Sequence, residues 1–291
     1  MPQLIVTSSA PGAGKTGVAA AIARTLAYEG TPVRLARVGG ADDTAAKEDA
    51  AYFGRCEFAP GSWAEPVGSP PSAVEGEFVV AEADESEAEG RVVVARRSLP
   101  DAAAVAGARA VVVTAVPAFE LPSLPREIAG VPVFAVPEDR TLAGFTLRDV
   151  QELIPGELLV EGEMPEDATC DHLVIAPIGS DAGQPYFRRF EAKAVVARFD
   201  RTDMHLAALA AEPVFLILTG GRHPSGYTID AAQARGVPVY LVPTDTESTV
   251  VLLEEVFGRS RFRGERKLDR MAELLAGVGF FEVVQPAGVA G

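Results

Sequence analysis

The chain has 291 residues, enough for two compact domains. Its 41 acidic against 26 basic side chains give a net charge of −15 and a pI near 4.7. That balance argues against a nucleic-acid partner, which would be gripped by basic patches, and fits a role in solubility. No charged leader with an apolar stretch opens the chain, and no run of about 18 apolar residues occurs, so a cytoplasmic protein without a membrane partner is expected. Cys56 and Cys170 stand apart, outside any C-x-x-C or metal-ligand spacing, and read as idle thiols.

The first predicted strand, Leu4-Ile5-Val6-Thr7-Ser8, runs into Ser9-Ala10-Pro11-Gly12-Ala13-Gly14-Lys15-Thr16, and an Ala-rich helical stretch over 17–28 follows. That order is what a phosphate cradle needs. Glycines let backbone N–H groups close on phosphate, the helix N-terminus adds partial positive charge, Lys15 reaches the outer phosphates, and the Thr16 hydroxyl ligates Mg²⁺. Pro11, Gly12, Ala13, Gly14, Lys15, Thr16 and Gly17 are therefore the expected ATP-binding residues, with Lys15 the charge-neutralising catalytic group. In G-x-x-x-x-G-K-[ST] the first glycine falls at position 9, where this chain has Ser9. Gly12-x-Gly14-x-x-Gly17 also spells a dinucleotide fingerprint. The second strand, over 32–38, ends in Ala36-Arg37-Val38 where that fold wants an acid, although Arg37 would suit a 2′-phosphate. Binding of ATP phosphates is the main expectation; a dinucleotide site and a loop that binds nothing stay open.

An acidic helix is predicted over 41–53, then a Pro- and Gly-rich loop over 54–72, long enough to suggest function. A buried strand over 77–82 ends in Glu82. Further apolar runs at 92–95, 110–115 and 131–136, with helix-compatible segments between them, predict a mostly parallel sheet whose ligands sit at the strands' carboxyl ends. Mg²⁺ bound with nucleotide wants carboxylates near Thr16. Asp49 and Glu82 are best placed, with Asp42 and Asp43 as competitors.

The second half repeats this grammar, with strands at 172–176, 194–199, 214–218 and 237–242 and helices such as 203–211 and 246–257. The strings at 130–139 and 236–245 nearly match, through duplication or through convergent strand-to-helix turns. Three polar clusters fall at strand ends: Asp200-Arg201-Thr202-Asp203, Thr219-Gly220-Gly221-Arg222-His223 and Thr244-Asp245-Thr246. If the strands are parallel neighbours the clusters share one rim, serving either ligand recognition or turn and N-cap duty. Asp200, Arg201, Thr219, Gly220, Gly221, Asp245 and Thr246 form the expected ligand rim. His205 and His223 flank it without a third ligand at a metal spacing. The run over 259–267 and an amphipathic helix over 268–275 read as a solvated cap, and 285–291 as a loose tail.

The first half resembles a dethiobiotin synthetase-type P-loop domain in its Gly12-Ala13-Gly14-Lys15-Thr16 loop, its Asp49-Ala50-Ala51 helix, the stretch Trp63-Ala64-Glu65-Pro66-Val67-Gly68-Ser69-Pro70 and the strand ending in Glu82. The second half resembles a DRTGG domain, with Asp200-Arg201-Thr202, Leu218-Thr219-Gly220-Gly221 and Asp245-Thr246 in order. Together, to about residue 258, they are similar to the non-catalytic N-terminal part of long bacterial phosphotransacetylases and their stand-alone relatives. The resemblance implies a P-loop NTPase-type mostly parallel α/β domain over 1–155, a smaller α/β DRTGG domain over 156–258 and a C-terminal helix and tail over 259–291. It also implies ATP and Mg²⁺ held by Lys15, Thr16, Asp49 and Glu82. Where the synthetase family has a substrate lysine this chain has Arg37, a guanidinium that cannot do amine or carbamate chemistry. Where it has glycines after the glutamate, Ala83-Asp84-Glu85 stand. A regulatory nucleotide-binding protein with little or no turnover, sensing a small ligand through the DRTGG domain, is the resulting expectation. An ATP-dependent synthetase or ATPase is the alternative, and a homo-oligomer is compatible with either.

Overall fold

The structure, a computed structural model, describes residues 3–8, 10–165, 168–176 and 183–284. Ser9 of the loop and the tail at 285–291 lie outside the described residues. The chain divides into two compact units, Met1–Asp139 with Glu265–Gly291, and Arg140–Gly264.

In the first unit β1 (Gln3–Ser8), α1 (Lys15–Tyr28), β2 (Val33–Arg37), α2 (Thr44–Phe53), β3 (Phe78–Glu82), β4 (Val92–Arg96), β5 (Ala110–Val116), β6 (Glu127–Ile128) and β7 (Val131–Pro137) follow in order. The sheet runs β2-β3-β1-β4-β5-β7-β6, parallel except for the β6–β7 hairpin. Since β1 lies between β3 and β4, the chain passes from β1 to β2 on one side and from β3 over β1 to β4 on the other. The crevice at its carboxyl end is therefore where an α/β sheet of this kind accepts ligands.

α1 is buried nearly all round, from Val18 to Ala23, because its alanines let neighbouring backbones approach closely. The segment between β4 and β5 was expected to be helix-compatible, but it forms turns. Buried Arg91 explains part of this: its guanidinium donates to the carbonyls of Ala88, Ala104 and Ala106, which a helix would have used internally. The long loop over 54–72 covers the edge of the sheet. Trp63 N and Val67 N donate to the carbonyls of Leu35 and Arg37 on β2, and the Arg34 guanidinium lies 3.8 Å over the Trp63 ring. An edge strand left bare would pair with another chain.

The second unit contains α3 (Arg140–Ala143), α4 (Leu147–Leu153), β8 (Glu157–Val160), β9 (His172–Ile175), α5 (Gly183–Phe187), β10 (Lys193–Arg198), α6 (Thr202–Leu209), β11 (Phe215–Thr219), α7 (Gly226–Gln233), β12 (Val239–Leu241) and α8 (Thr246–Arg259). Its sheet runs β8-β12-β11-β10-β9, with β8 antiparallel at one edge. Alternate residues of the central strands feed two cores. Val195, Ala197, Leu216 and Leu218 meet Met204, Leu209 and Ala232 of α6 and α7, while Ala194, Val196, Phe215 and Ile217 meet Val150, Leu253 and Val256 of α4 and α8. Because α4 belongs to this core, the units divide at Asp139/Arg140 and not at the expected 155/156.

The remaining helices, α9 (Glu265–Gly277) and α10 (Phe280–Val284), belong to the first unit. The expected solvated cap is corrected here: α9 packs on α1 and buries Leu268, Met271 and Leu275, with Arg24 and Asp269 paired across the contact. Leu268→Ala should therefore destabilise the first unit by about 2–5 kcal/mol, as for a core leucine. A solvated helix would lose less than about 0.5 kcal/mol, and urea unfolding separates the two. No helix among the described residues is long and apolar enough to cross a membrane.

Candidate functional site

Gly12 and Gly14 adopt φ of 69° and 93°, the left-handed region open to glycine without strain. Gly14 is the N-cap of α1, and no side chain caps that helix, so its first N–H groups are not spent on a side-chain acceptor. The outer carbonyls of the loop are held from the neighbouring strands. Thr114 Oγ1 on β5 donates to Ala13 O at 2.7 Å, and Arg96 on β4 donates to Gly12 O at 3.4 Å. Pro11 and Gly12 are exposed, Thr16 is half-buried, and Ala13, Lys15 and Gly17 are buried.

Register brings the charged groups together. Glu82, the last residue of β3, lies opposite Val6 of β1 and Arg37 of β2. Thr16 Oγ1 donates to Glu82 Oε1 at 3.2 Å. Lys15 Nζ, only 8% exposed, donates to Asp84 Oδ1 at 2.6 Å. Arg37, 3% exposed, donates through Nη2 to both Asp84 oxygens at 2.9 Å. Its Nε lies 3.5 Å from Asp49 Oδ2 and 3.7 Å from Glu82 Oε1. Asp49 is thus aligned with Arg37, and among expected metal-assisting groups only Glu82 hydrogen-bonds Thr16. Asp43 is occupied elsewhere as the N-cap of α2, accepting from Ala45 N and Ala46 N, and Asp42 is exposed.

The electrostatics follow. Burial, reinforced by Asp49, pushes the Glu82 carboxyl up to about 8 against the pull of Arg37, Lys15 and Thr16. Burial opposes the Arg37 charge, but Glu82, Asp84 and Asp49 outweigh it and raise that guanidinium. Partial burial likewise acts against the Asp84 carboxylate, yet the hydrogen bonds from Lys15 and Arg37 hold it below its ordinary range. Glu82 Oε2 is buried and has no hydrogen-bond partner.

In the second unit the parallel order of β10, β11 and β12 does collect the three polar clusters on one rim. Thr219 Oγ1 and Thr246 Oγ1 are 2.7 Å apart, and Arg201 pairs with Asp203 at 3.1 Å. Asp200 pairs with Arg198 at 3.0 Å. Asp245 is the N-cap of α8, accepting from Ser248 N, and Gly220 and Gly221 turn at φ of 96° and 63°. Two guanidiniums lie near the Phe199 ring, Arg198 at 5.8 Å and Arg222 at 5.0 Å from its centroid. Capping and turning are thus evident duties of the rim; hydroxyls, an aromatic ring and guanidiniums nonetheless gather there.

His205 is fully buried, bonded to Thr228 Oγ1 at 3.0 Å and to the Arg198 carbonyl at 2.8 Å, while His223 is exposed and lies 3.4 Å from Glu157. Burial lowers the His205 pKa below 6.5. The unfolded chain therefore takes up a proton that the fold resists, and the second unit should lose stability as the pH falls below about 6.5. The slope is at most about 1.4 kcal/mol per pH unit, and it levels off below the folded pKa. His205→Gln should flatten this limb in urea titrations at pH 7.5, 6 and 5. Burial raises Cys56 to about 12 and Cys170 well above the thiol range, so both are inert as nucleophiles.

Sequence reasoning did not single out Thr114 or Asp84 as site residues. Thr114 has a signal in hindsight, as a hydroxyl inside the apolar run Val111-Val112-Val113. Asp84 stood out only as a departure from glycine.

The molecule is thus a mixed α/β protein of two mostly parallel sheets, the first carrying a glycine-rich strand-to-helix loop at its switch point. Residues 149–256 match the family model of the DRTGG domain, and a DRTGG domain is present in this chain. One solved structure similar to it comprises the CBS and DRTGG domains of the regulatory region of Clostridium perfringens pyrophosphatase, complexed with its activator diadenosine tetraphosphate. Identity is 18% and the TM-score 0.35; the match covers 43% of this chain and 54% of that one, so the chain spans about half its length.

Proposed function

We propose that the first unit binds ATP with Mg²⁺ and turns it over slowly or not at all, and that the DRTGG domain serves as a regulatory, ligand-sensing module of a cytoplasmic protein. The observation that carries this is the loop itself. Gly12 and Gly14 hold left-handed geometry, α1 starts without a side-chain cap, and Lys15 and Thr16 stand at its first turn beside Glu82. Nucleotide phosphate would be held by the N–H groups of Gly12 to Thr16 and by Lys15.

The oxygen chemistry suits Mg²⁺. Thr16 Oγ1 and Glu82 are neighbouring hard donors, and the unpartnered Glu82 Oε2 supplies a lone pair aimed at no other protein group. Phosphate oxygens and water would complete the shell. Asp49 fits less well as a direct ligand, being aligned with Arg37. Among the described residues no group of three or more His, Cys, Asp or Glu could hold a metal without nucleotide. When bound, Mg²⁺ would neutralise charge between the outer phosphates.

The synthetase alternative is weaker because Arg37 stands in the lysine position and is engaged by three carboxylates. For the second unit, the proposed rim is Asp200, Arg201, Thr219, Gly220, Gly221, Asp245 and Thr246, which would recognise a small anion-bearing ligand beside Phe199. The test is calorimetric titration of ATP, GTP and NADPH into the intact protein with and without Mg²⁺. Heat with ATP and Mg²⁺ is expected. No heat with ATP overturns the proposal, and Mg²⁺-independent NADPH binding would favour a dinucleotide site.

A further inference from the structure

Two buried cations from different elements converge on one anion. Lys15 Nζ and Arg37 Nη2 share Asp84 Oδ1 at 2.6 and 2.9 Å, and Arg37 also holds Oδ2 at 2.9 Å. The carboxylate they grip is itself 57% exposed, so it sits on the solvent side of the seat while both cations lie beneath it. Asp84 is tied to the sheet through its main chain, where its carbonyl accepts from Thr7 Oγ1 at 3.0 Å; the carboxylate itself depends on the two cations. A carboxylate held this way presents two oxygens where a terminal phosphate would present its own, and both cannot occupy the seat.

Extending the nucleotide-binding reading, on which this rests, we infer that Asp84 is an internal occupant of the phosphate seat, that an entering polyphosphate chain displaces it, and that Arg37 then becomes a second phosphate ligand beside Lys15. The exchange is balanced. Arg37 keeps Asp49 at 3.5 Å and Glu82 at 3.7 Å after Asp84 leaves, so its charge stays compensated. Lys15 exchanges one anionic oxygen for another. The planar guanidinium suits bidentate capture of phosphate as well as carboxylate. Displacement also removes the two side-chain tethers of the turn over 83–91, leaving Asp84 held there by the Thr7 hydroxyl on its carbonyl.

The experiment is calorimetry on wild type, Asp84→Ala and Asp84→Asn with two probes, Mg²⁺-ATP and inorganic tripolyphosphate, joined by Asp84→Ala/Arg37→Lys. Both single variants should bind each probe at least tenfold more tightly than wild type, and the added Arg37→Lys should remove most of that gain. Wild-type ATP binding that is unchanged or weakened in both Asp84 variants overturns the inference and leaves nucleotide binding standing. A gain for tripolyphosphate without ATP binding supports the seat and overturns the nucleotide reading. No binding of either probe to any form overturns both. If the Asp84 variants fail to fold, hydrogen exchange on wild type decides. Saturating tripolyphosphate should speed amide exchange over 83–87, and unchanged exchange overturns the inference.

Discussion

Lys15→Ala is expected to weaken binding of Mg²⁺-ATP by roughly 10- to 150-fold, the loss of one charge-assisted hydrogen bond worth about 1.5–3 kcal/mol. The ammonium lies in the first turn of α1, where, on the proposed reading, it and the helix N-terminus would act on the same phosphates. Among the described residues its ammonium pairs with Asp84, which keeps its bidentate bond to Arg37 when Lys15 is removed. Affinity should therefore change much more than folding stability. Calorimetry paired with urea unfolding of the same variant measures both. ATP affinity equal to wild type would exclude a phosphate role for the loop, while a large stability loss at unchanged affinity would make Lys15 a structural residue.

Arg37→Ala is expected to be the most destabilising single change at the site, by about 3–5 kcal/mol. The guanidinium is 3% exposed and is the cation shared by Asp49, Glu82 and Asp84, and Glu82 is itself only 1% exposed. Removing Arg37 leaves carboxylates crowded in low dielectric, which costs far more than losing a surface pair. A domain with the usual 5–15 kcal/mol of stability would lose a large share of it. Adding Glu82→Gln should recover part of the loss only under alkaline conditions, where the buried Glu82 carboxyl, already pushed up to about 8, would otherwise be forced to ionise without its guanidinium. Urea unfolding of the single and double variants gives this coupling as a double-mutant cycle. A loss below about 1 kcal/mol for Arg37→Ala would show that water or side-chain rearrangement screens the cluster.

Much of the fold could be read from short-range pattern. The strands over 78–82, 92–96, 110–116, 193–198 and 215–219 are almost continuously apolar, as strands covered on both faces must be, and they fall close to where the apolar runs lie. The loop from Gly12 to Thr16 carries its geometry in its glycines. The DRTGG segment was legible because its polar strand ends come in a fixed order, and the family match covers that region. The turns over 97–109 were less legible: alanine-rich composition favours helix, whereas Arg91 draws the carbonyls of Ala104 and Ala106 to itself. The helix over 265–277 was misread as solvated because its apolar stripe is narrow, and only the position of α1 shows what covers that stripe.

The sequence by itself determined the α/β class, the glycine-rich strand-to-helix loop and the presence of polar residues at successive strand ends, because each depends on backbone preference and hydrophobic period within a few neighbouring positions. Only the tertiary structure decided that β1 lies between β3 and β4, that the C-terminal helix returns to the first unit, and that Lys15 and Arg37 meet on Asp84. Those outcomes depend on strand order and register between segments tens of residues apart. In this site one such pairing, Arg37 opposite Glu82, sets which charges share a low-dielectric space and hence which of them need partners.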